Sequence, residues 1–251
     1  MTKRHLILRL DAPLMSFGGV AIDQLGVIDA WPHASLLTGL IGNALGYRRT
    51  DRGALQALQD RLVFACRADR EGERLRDFQT ADLRKNEKGW TTREQPEGRS
   101  GGSKTYAGKH IRHRDYWADR IVTVALRLEP REAEPELERV AEALAAPVRP
   151  LFIGRKPCLP AAPLLVGEQE GESALDAVSR FPVLIGESAG RRPKPVEYLA
   201  CAPAHDPPHP FVAGQLREVR VSGRRDWTSD AHGGEQRWRE GRVAAPCTEA
   251  P

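Results

Sequence analysis

The sequence has little of what the more recognisable chemistries require. Its four cysteines, Cys66, Cys158, Cys201 and Cys247, lie far apart. They form no C-x-x-C pair and no Cys/His cluster, which excludes a zinc knuckle and a disulfide framework and leaves them as buried or incidental thiols. No metal and no cofactor is expected. No run of 18 apolar residues is present, so no membrane span is expected either. The opening MTKRHLILRLDAPLM starts like a leader, but Arg9 and Asp11 break the apolar stretch before it is long enough, and a cytoplasmic location is expected. Aromatics make up only 6% of the chain against 40% hydrophobic residues, a composition that fits a globular protein. Its 251 residues suffice for one elaborated domain or two small ones.

The net charge is also small, +4, but it is placed unevenly. Between Arg84 and Arg114 stand nine basic residues, Arg84, Lys85, Lys88, Arg93, Arg99, Lys104, Lys109, Arg112 and Arg114, against three acidic ones, Glu87, Glu94 and Glu97. That segment is +6, so the remainder totals −2. Concentrated positive charge on a nearly neutral body points to a polyanion, because neutralising phosphates releases their counterions. Trp90, Tyr106, His110, His113, Tyr116 and Trp117 lie among or beside the charges, the mixture that base stacking and phosphate pairing require. The alternative is a solvated loop whose charge only keeps it soluble.

Within the segment, GRSGGSKT (98–105) comes one letter from the phosphate-cradling pattern G-x-x-x-x-G-K-[ST], with Ser103 where the second glycine belongs. No apolar strand precedes it and no helical period follows, so nucleotide hydrolysis is not expected.

His5 to Leu10 alternates as a half-buried strand. SLLTGLIGNALG predicts a helix from an N-cap at Ser35 to a stop at Gly46, with Leu36, Leu37, Leu40, Ile41, Ala44 and Leu45 on one face. Residues 61–67 and 121–128 read as strands, 135–146 as a helix closed by Pro147, and a further strand falls near Leu151–Ile153 or Leu164–Val166. The order β, α, β, basic insertion, β, α, β predicts an α+β, ferredoxin-like (RRM-like) βαββαβ domain over 1–167. The periodicity weakens after about residue 170, so 168–251 is expected to be a smaller, strand-containing part with a disordered tail near GGEQRWREGRVAAPCTEAP.

Four stretches in this order carry a family resemblance: the opening strand with APLMSFGG, WPHASLLTGLIGNALGY (31–47), LRDFQTADL (75–83) and RPLFIGRKPCLPAAPLLVG (149–167). Over residues 4 to 167, and more loosely to RRDWT (224–228), the chain resembles the fifth family of Cas proteins in the RAMP superfamily, in the form of the CasD subunit of type I-E CRISPR Cascade. The resemblance implies a thumb over about 77–117, a non-catalytic role in holding the 5′ handle of the CRISPR RNA, and a place capping one end of a surveillance complex. The implied partners are the CRISPR RNA, the other Cascade subunits, especially the backbone subunit and the large subunit, and target DNA through the assembled complex. GRSGGSKT then belongs to the thumb, its Lys104 meeting phosphate without hydrolysis.

The candidate RNA contacts follow. APLMSFGG presents Met15, Ser16, Gly18 and Gly19, with an ordinary turn that packs Met15 and Phe17 inward as the alternative. The helix start offers Ser35 and free N–H groups. The family often places a basic residue before that serine, where this chain has Ala34, so a phosphate contact there is either missing or supplied by His33. GRKPC (154–158) sets Arg155 and Lys156 on a proline-stiffened turn, where they face a phosphate or, as the alternative, only solvent. The basic insertion adds Arg84, Lys85, Lys88, Arg93, Lys104, Lys109, Arg112, His113 and Arg114. A competing function is metal-independent endoribonuclease maturation of precursor CRISPR RNA, as related type I-C subunits perform. His33, His110 and His113 with Lys104, Lys109 and Tyr106 offer the residue types for it. A stand-alone RRM-like binder is disfavoured by the absence of an RNP-type run.

Overall fold

A computed structural model of the chain describes residues 2–19, 24–81, 89–90, 96–97, 110–185, 197–206, 211–212 and 216–249. These residues form a mixed α+β fold made mostly of strands. β1 (Lys3–Asp11) leads through the two-residue strands β2 (Leu14–Met15) and β3 (Leu25–Gly26) to α1 (Ala34–Leu45). Helix α1 buries Leu37, Leu40, Ile41 and Ala44 and stops at Gly46, whose φ of 86° lies in the left-handed region that glycine adopts without steric cost. A second helix, α2 (Arg52–Arg61), runs directly into β4 (Leu62–Arg70).

The long strands β5 (Glu73–Ala81) and β8 (His110–Ala118) pair antiparallel in nine-residue register and carry the basic insertion, of which β6 (Gly89–Trp90) and β7 (Pro96–Glu97) are described. β9 (Ile121–Leu128), α3 (Leu137–Ala145), β10 (Leu165–Gly171), α4 (Ala174–Arg180) and β11 (Val183–Ile185) follow. The chain ends in β12 (Glu197–Pro203), β13 (Arg217–Val221), β14 (Arg225–Asp226), β15 (Ala231–His232), β16 (Gln236–Ala244) and β17 (Cys247–Glu249).

One antiparallel sheet organises these elements, in the order β10-β1-β9-β4-β12-β16-β13. Its centre is covered on both faces, which is why every residue of β9 is buried. Leu6, Leu8 and Leu10 enter the main core with α1 and α3, and Ile7 enters a second core with the apolar residues of α4. Arg67, fully buried on β4, ties α4 to the sheet. It pairs with Asp69 at 2.6 Å and donates to the carbonyls of Val178 and Phe181, the cationic partner that a helix C-terminus favours.

Within the stretch expected to be a disordered tail, Gln236–Ala244 form β16 and Cys247–Glu249 form β17. Trp238 is buried and packs at a tilt against Phe64, with ring centroids 4.9 Å apart and an interplanar angle of 53°. Buried Glu240 accepts from Trp31 Nε1 at 2.7 Å and Arg217 Nε at 2.6 Å. A strand whose buried positions include a carboxylate lacks the apolar period that marks strands in sequence. No helix among the described residues is long and apolar enough to cross a membrane.

Candidate nucleic-acid interface

The turn after β1 is anchored before it is exposed. Met15 and Phe17 are fully buried, so the inward-packing alternative describes both side chains. The Ser16 N–H donates to the Ile153 carbonyl at 3.1 Å, and the Asp29 N–H donates to Phe17 at 2.7 Å. Gly18 emerges into solvent just beyond, bridged to Ile28.

The GRKPC turn meets this one from the other side. Gly154 has φ of +93°, and a Cβ there would lie 1.8 Å from the Ser16 carbonyl oxygen, so backbone conformation and close approach both demand glycine. Arg155 then reaches across: its Nη1 donates to the Asp115 carbonyl at 2.7 Å, its Nη2 to Gly26 at 2.9 Å, and its guanidinium stacks 4.8 Å from the Tyr116 ring centroid. It clamps three segments together, and much of its donor capacity is spent on them. Lys156 is exposed, with no ion pair among the described residues.

The start of α1 differs from the expectation. Helix residues begin at Ala34 and His33 takes the N-cap position, with no side-chain capping bond. The Ser35 N–H donates to Gly223 at 3.1 Å, and the Leu36 and Leu37 N–H groups both reach the His33 carbonyl at 3.1 Å. These donors have partners, so the helix start is not a free anion cradle; Ser35 lines the groove by its position alone. His33 is 6% exposed, with Nε2 3.3 Å from Asp29 Oδ2. Burial holds its pKa below the ordinary histidine value, against the opposing pull of Asp29 and a bond to the Gly18 backbone.

On the β5–β8 hairpin, successive side chains point to opposite faces. Arg112, Arg114 and Tyr116 share one face, and Arg114 lines the groove. His113 lies on the other, its ring 5.5 Å from exposed Phe78. Arg84, Lys85, Lys88, Arg93, Lys104 and Lys109 fall outside the described residues, as does GRSGGSKT.

Together these parts enclose an open groove of about 600 Å³. Ser16, Gly18, Gly19, Ser35, Arg114 and Arg155 converge on it, whereas Met15, His33, Arg112, His113 and Lys156 do not line it. Three further arginines do: Arg48 and Arg49, just past the end of α1, and Arg225 from the C-terminal part, stacked 5.0 Å from Trp227. Arg49 and Arg225 share Asp230, at 3.5 and 2.9 Å, while Arg48 is exposed. Sequence reading missed all three. The YRRT directly after the helix stop was a visible signal for Arg48 and Arg49, but nothing local brings in Arg225. Among the described residues five arginines and no carboxylate line the groove, two of the arginines being paired with Asp230 behind it, which leaves a net positive trough suited to phosphates. Among the described residues no group of His, Cys, Asp and Glu could hold a metal ion, and Cys66, Cys158 and Cys201 are free and buried.

A family model described as CRISPR-associated protein (Cas_Cas5) matches residues 5–232. The CRISPR system Cascade subunit CasD of Escherichia coli (strain K12) is 28% identical over 194 residues, covering 74% of this chain and 80% of the relative. A chain of a structure titled CRISPR RNA-guided surveillance complex superposes with a TM-score of 0.65 at 24% identity, covering 98% of this chain and 93% of that one. One titled crystal structure of Cas protein gives 0.61 at 21%, covering 97% and 98%. At these identities the two structures speak for the fold alone.

Proposed function

We propose that this chain, which belongs to the Cas5 family of CRISPR-associated proteins, is a non-catalytic RNA-binding subunit of a type I-E Cascade surveillance complex. It holds the 5′ handle of the CRISPR RNA in the arginine-lined groove and caps one end of the assembly. The observation that carries this reading is the groove: the exposed turn at Gly18 lets a nucleic-acid backbone approach closely, and five arginines, with no carboxylate among the described lining residues, supply the counter-charge. The strand order β10-β1-β9-β4, with β1 and β4 running the same way on either side of β9, is read as the ferredoxin-like split βαβ unit. The basic insertion rising from β5 and β8 acts as a thumb over the RNA. The relative from E. coli is named a Cascade subunit, which supports other Cascade proteins as partners; on this reading these are the backbone and large subunits, and target DNA is a contact of the whole complex.

Cleavage needs a base, an acid and a cation around one phosphodiester. His33 is buried and engaged with Asp29 and Gly18, and His113 is on the hairpin face away from Arg114. For these two histidines the separation favours binding over the endoribonuclease alternative, and His110→Ala in the cleavage assay tests the third. The test is co-purification with the products of the neighbouring genes, sequencing of the bound RNA, and incubation of the purified chain with repeat-containing precursor in the absence of metal. A uniform short RNA with a repeat-derived 5′ end and an uncut precursor are expected; site-specific cleavage by the chain alone would overturn the proposal.

A further inference from the structure

The central sheet is forked. β12 and β4 pair only through Ala200↔Arg67 and Cys201↔Cys66, while β4 stays on β9 as far as Leu62↔Leu128 and β12 stays on β16 as far as Pro203↔Trp238. Continuing the register would set Pro203 opposite Phe64. Proline has no N–H to give a ladder, so pairing cannot be carried on there.

Between the prongs lies a cleft of about 540 Å³. Leu62, Val63 and Phe64 line one wall, and Pro203, Ala204 and His205 the other. Successive strand residues face opposite sides of a sheet, so a wall of three in a row is a strand edge rather than a face. Among the described residues, β4 from Leu62 to Ala65 has a ladder partner on one side only. An edge of that kind is a template for another strand.

The rim is cationic: Arg224, Arg237 and Arg239 stand against Glu218. Arg224 is ion-paired with Asp60, and Arg239 donates to the Asp206 carbonyl at 3.0 Å. Arg237 is exposed and lies directly across from Arg220 in the β13–β16 register; Arg220 is paired with Glu235 at 3.6 Å, and a carboxylate in the cleft would supply the counter-charge for Arg237. Phe64 and Trp238 give the cleft an apolar side.

We infer that this fork is a docking site for an extended, acidic segment of another protein, which adds as a strand to the free edge of β4 and sets its carboxylates against Arg237 and its neighbours. An RNA strand would match the charge but has no peptide groups to complete the ladder. The site shares no lining residue with the arginine groove, so the inference stands apart from the RNA reading.

The test uses the full chain and a fluorescent hexapeptide of alternating glutamate and valine, with binding read by anisotropy and amide exchange. Arg61 and Val63 bond to β9 in their pairs with Glu129 and Arg127, so Phe64 is the residue whose N–H faces the cleft, and saturable binding with slowed exchange at Phe64 is expected. N-methylation of alternate peptide amides should weaken it about tenfold or more, since a net hydrogen bond contributes a factor of roughly 2 to 10. Arg237→Glu should weaken it several-fold, and Ala204→Trp, which fills the cleft, should abolish it. If Ala204→Trp fails to fold, Arg237→Glu at its exposed position still decides. No binding, equal binding of the N-methylated peptide, or unchanged exchange in β4 would overturn the inference. Displacement of the peptide by single-stranded RNA whose own affinity falls in Arg237→Glu would also overturn it, assigning the fork to nucleic acid.

Discussion

Arg155 and Lys156 are neighbours in sequence and opposites in circumstance. Arg155 spends two nitrogens on backbone carbonyls and its flat face on Tyr116, while Lys156 stands in solvent. The same division runs through the whole groove. Its floor, made by Ser16, Gly154 and Arg155, is held by close approach and internal hydrogen bonds. Its rim, made by Arg48, Arg49 and Arg114, carries exposed or half-exposed charge. The lesson is that a cation in such a groove can serve the shape of the groove or the charge of a ligand, and the two roles fail differently: loss of the first lowers stability, loss of the second lowers affinity for a polyanion in a salt-dependent way.

The sharpest break in the floor is Gly154→Ala. The new Cβ would meet the Ser16 carbonyl oxygen at 1.8 Å on a backbone already at φ of +93°, so a stability loss of about 2–4 kcal/mol is expected in urea unfolding. Wild-type stability in this variant would mean the floor is not rigid. Arg155→Ala comes next, at about 1–3 kcal/mol, because two carbonyls lose a charged donor and Tyr116 its stacking partner. Arg155→Lys should recover little of it, since an ammonium cannot fork between two carbonyls while stacking. Lys156→Ala, measured beside it, should stay within about 0.5 kcal/mol of wild type.

That distinction was not legible in GRKPC, where both cations look equally free. Helix α1 was legible because Leu37, Leu40, Ile41 and Ala44 make a stripe that ends at a glycine, and β9 because all eight of its residues are buried. α2 was not, since among its apolar residues only Leu55 and Leu58 are buried. β5 was not, since it stands away from the core with Leu75 41% and Phe78 59% exposed and so shows no alternation. The groove was legible as two glycine turns and a helix start. Its arginines at 48, 49 and 225 were not, because a pocket assembled from distant segments has no local pattern to announce it.

Whether the rim meets phosphate is tested most directly by RNA affinity across a salt series for the combined variant Arg48→Ala, Arg49→Ala, Arg114→Ala. These side chains are outside the core, so the unfolding midpoint should hold. If each meets one phosphate of a single strand, the slope of log K against log salt should flatten by about 2, from ~0.7 per contact. An unchanged slope in a variant with wild-type unfolding would contradict the assignment of this groove to the RNA.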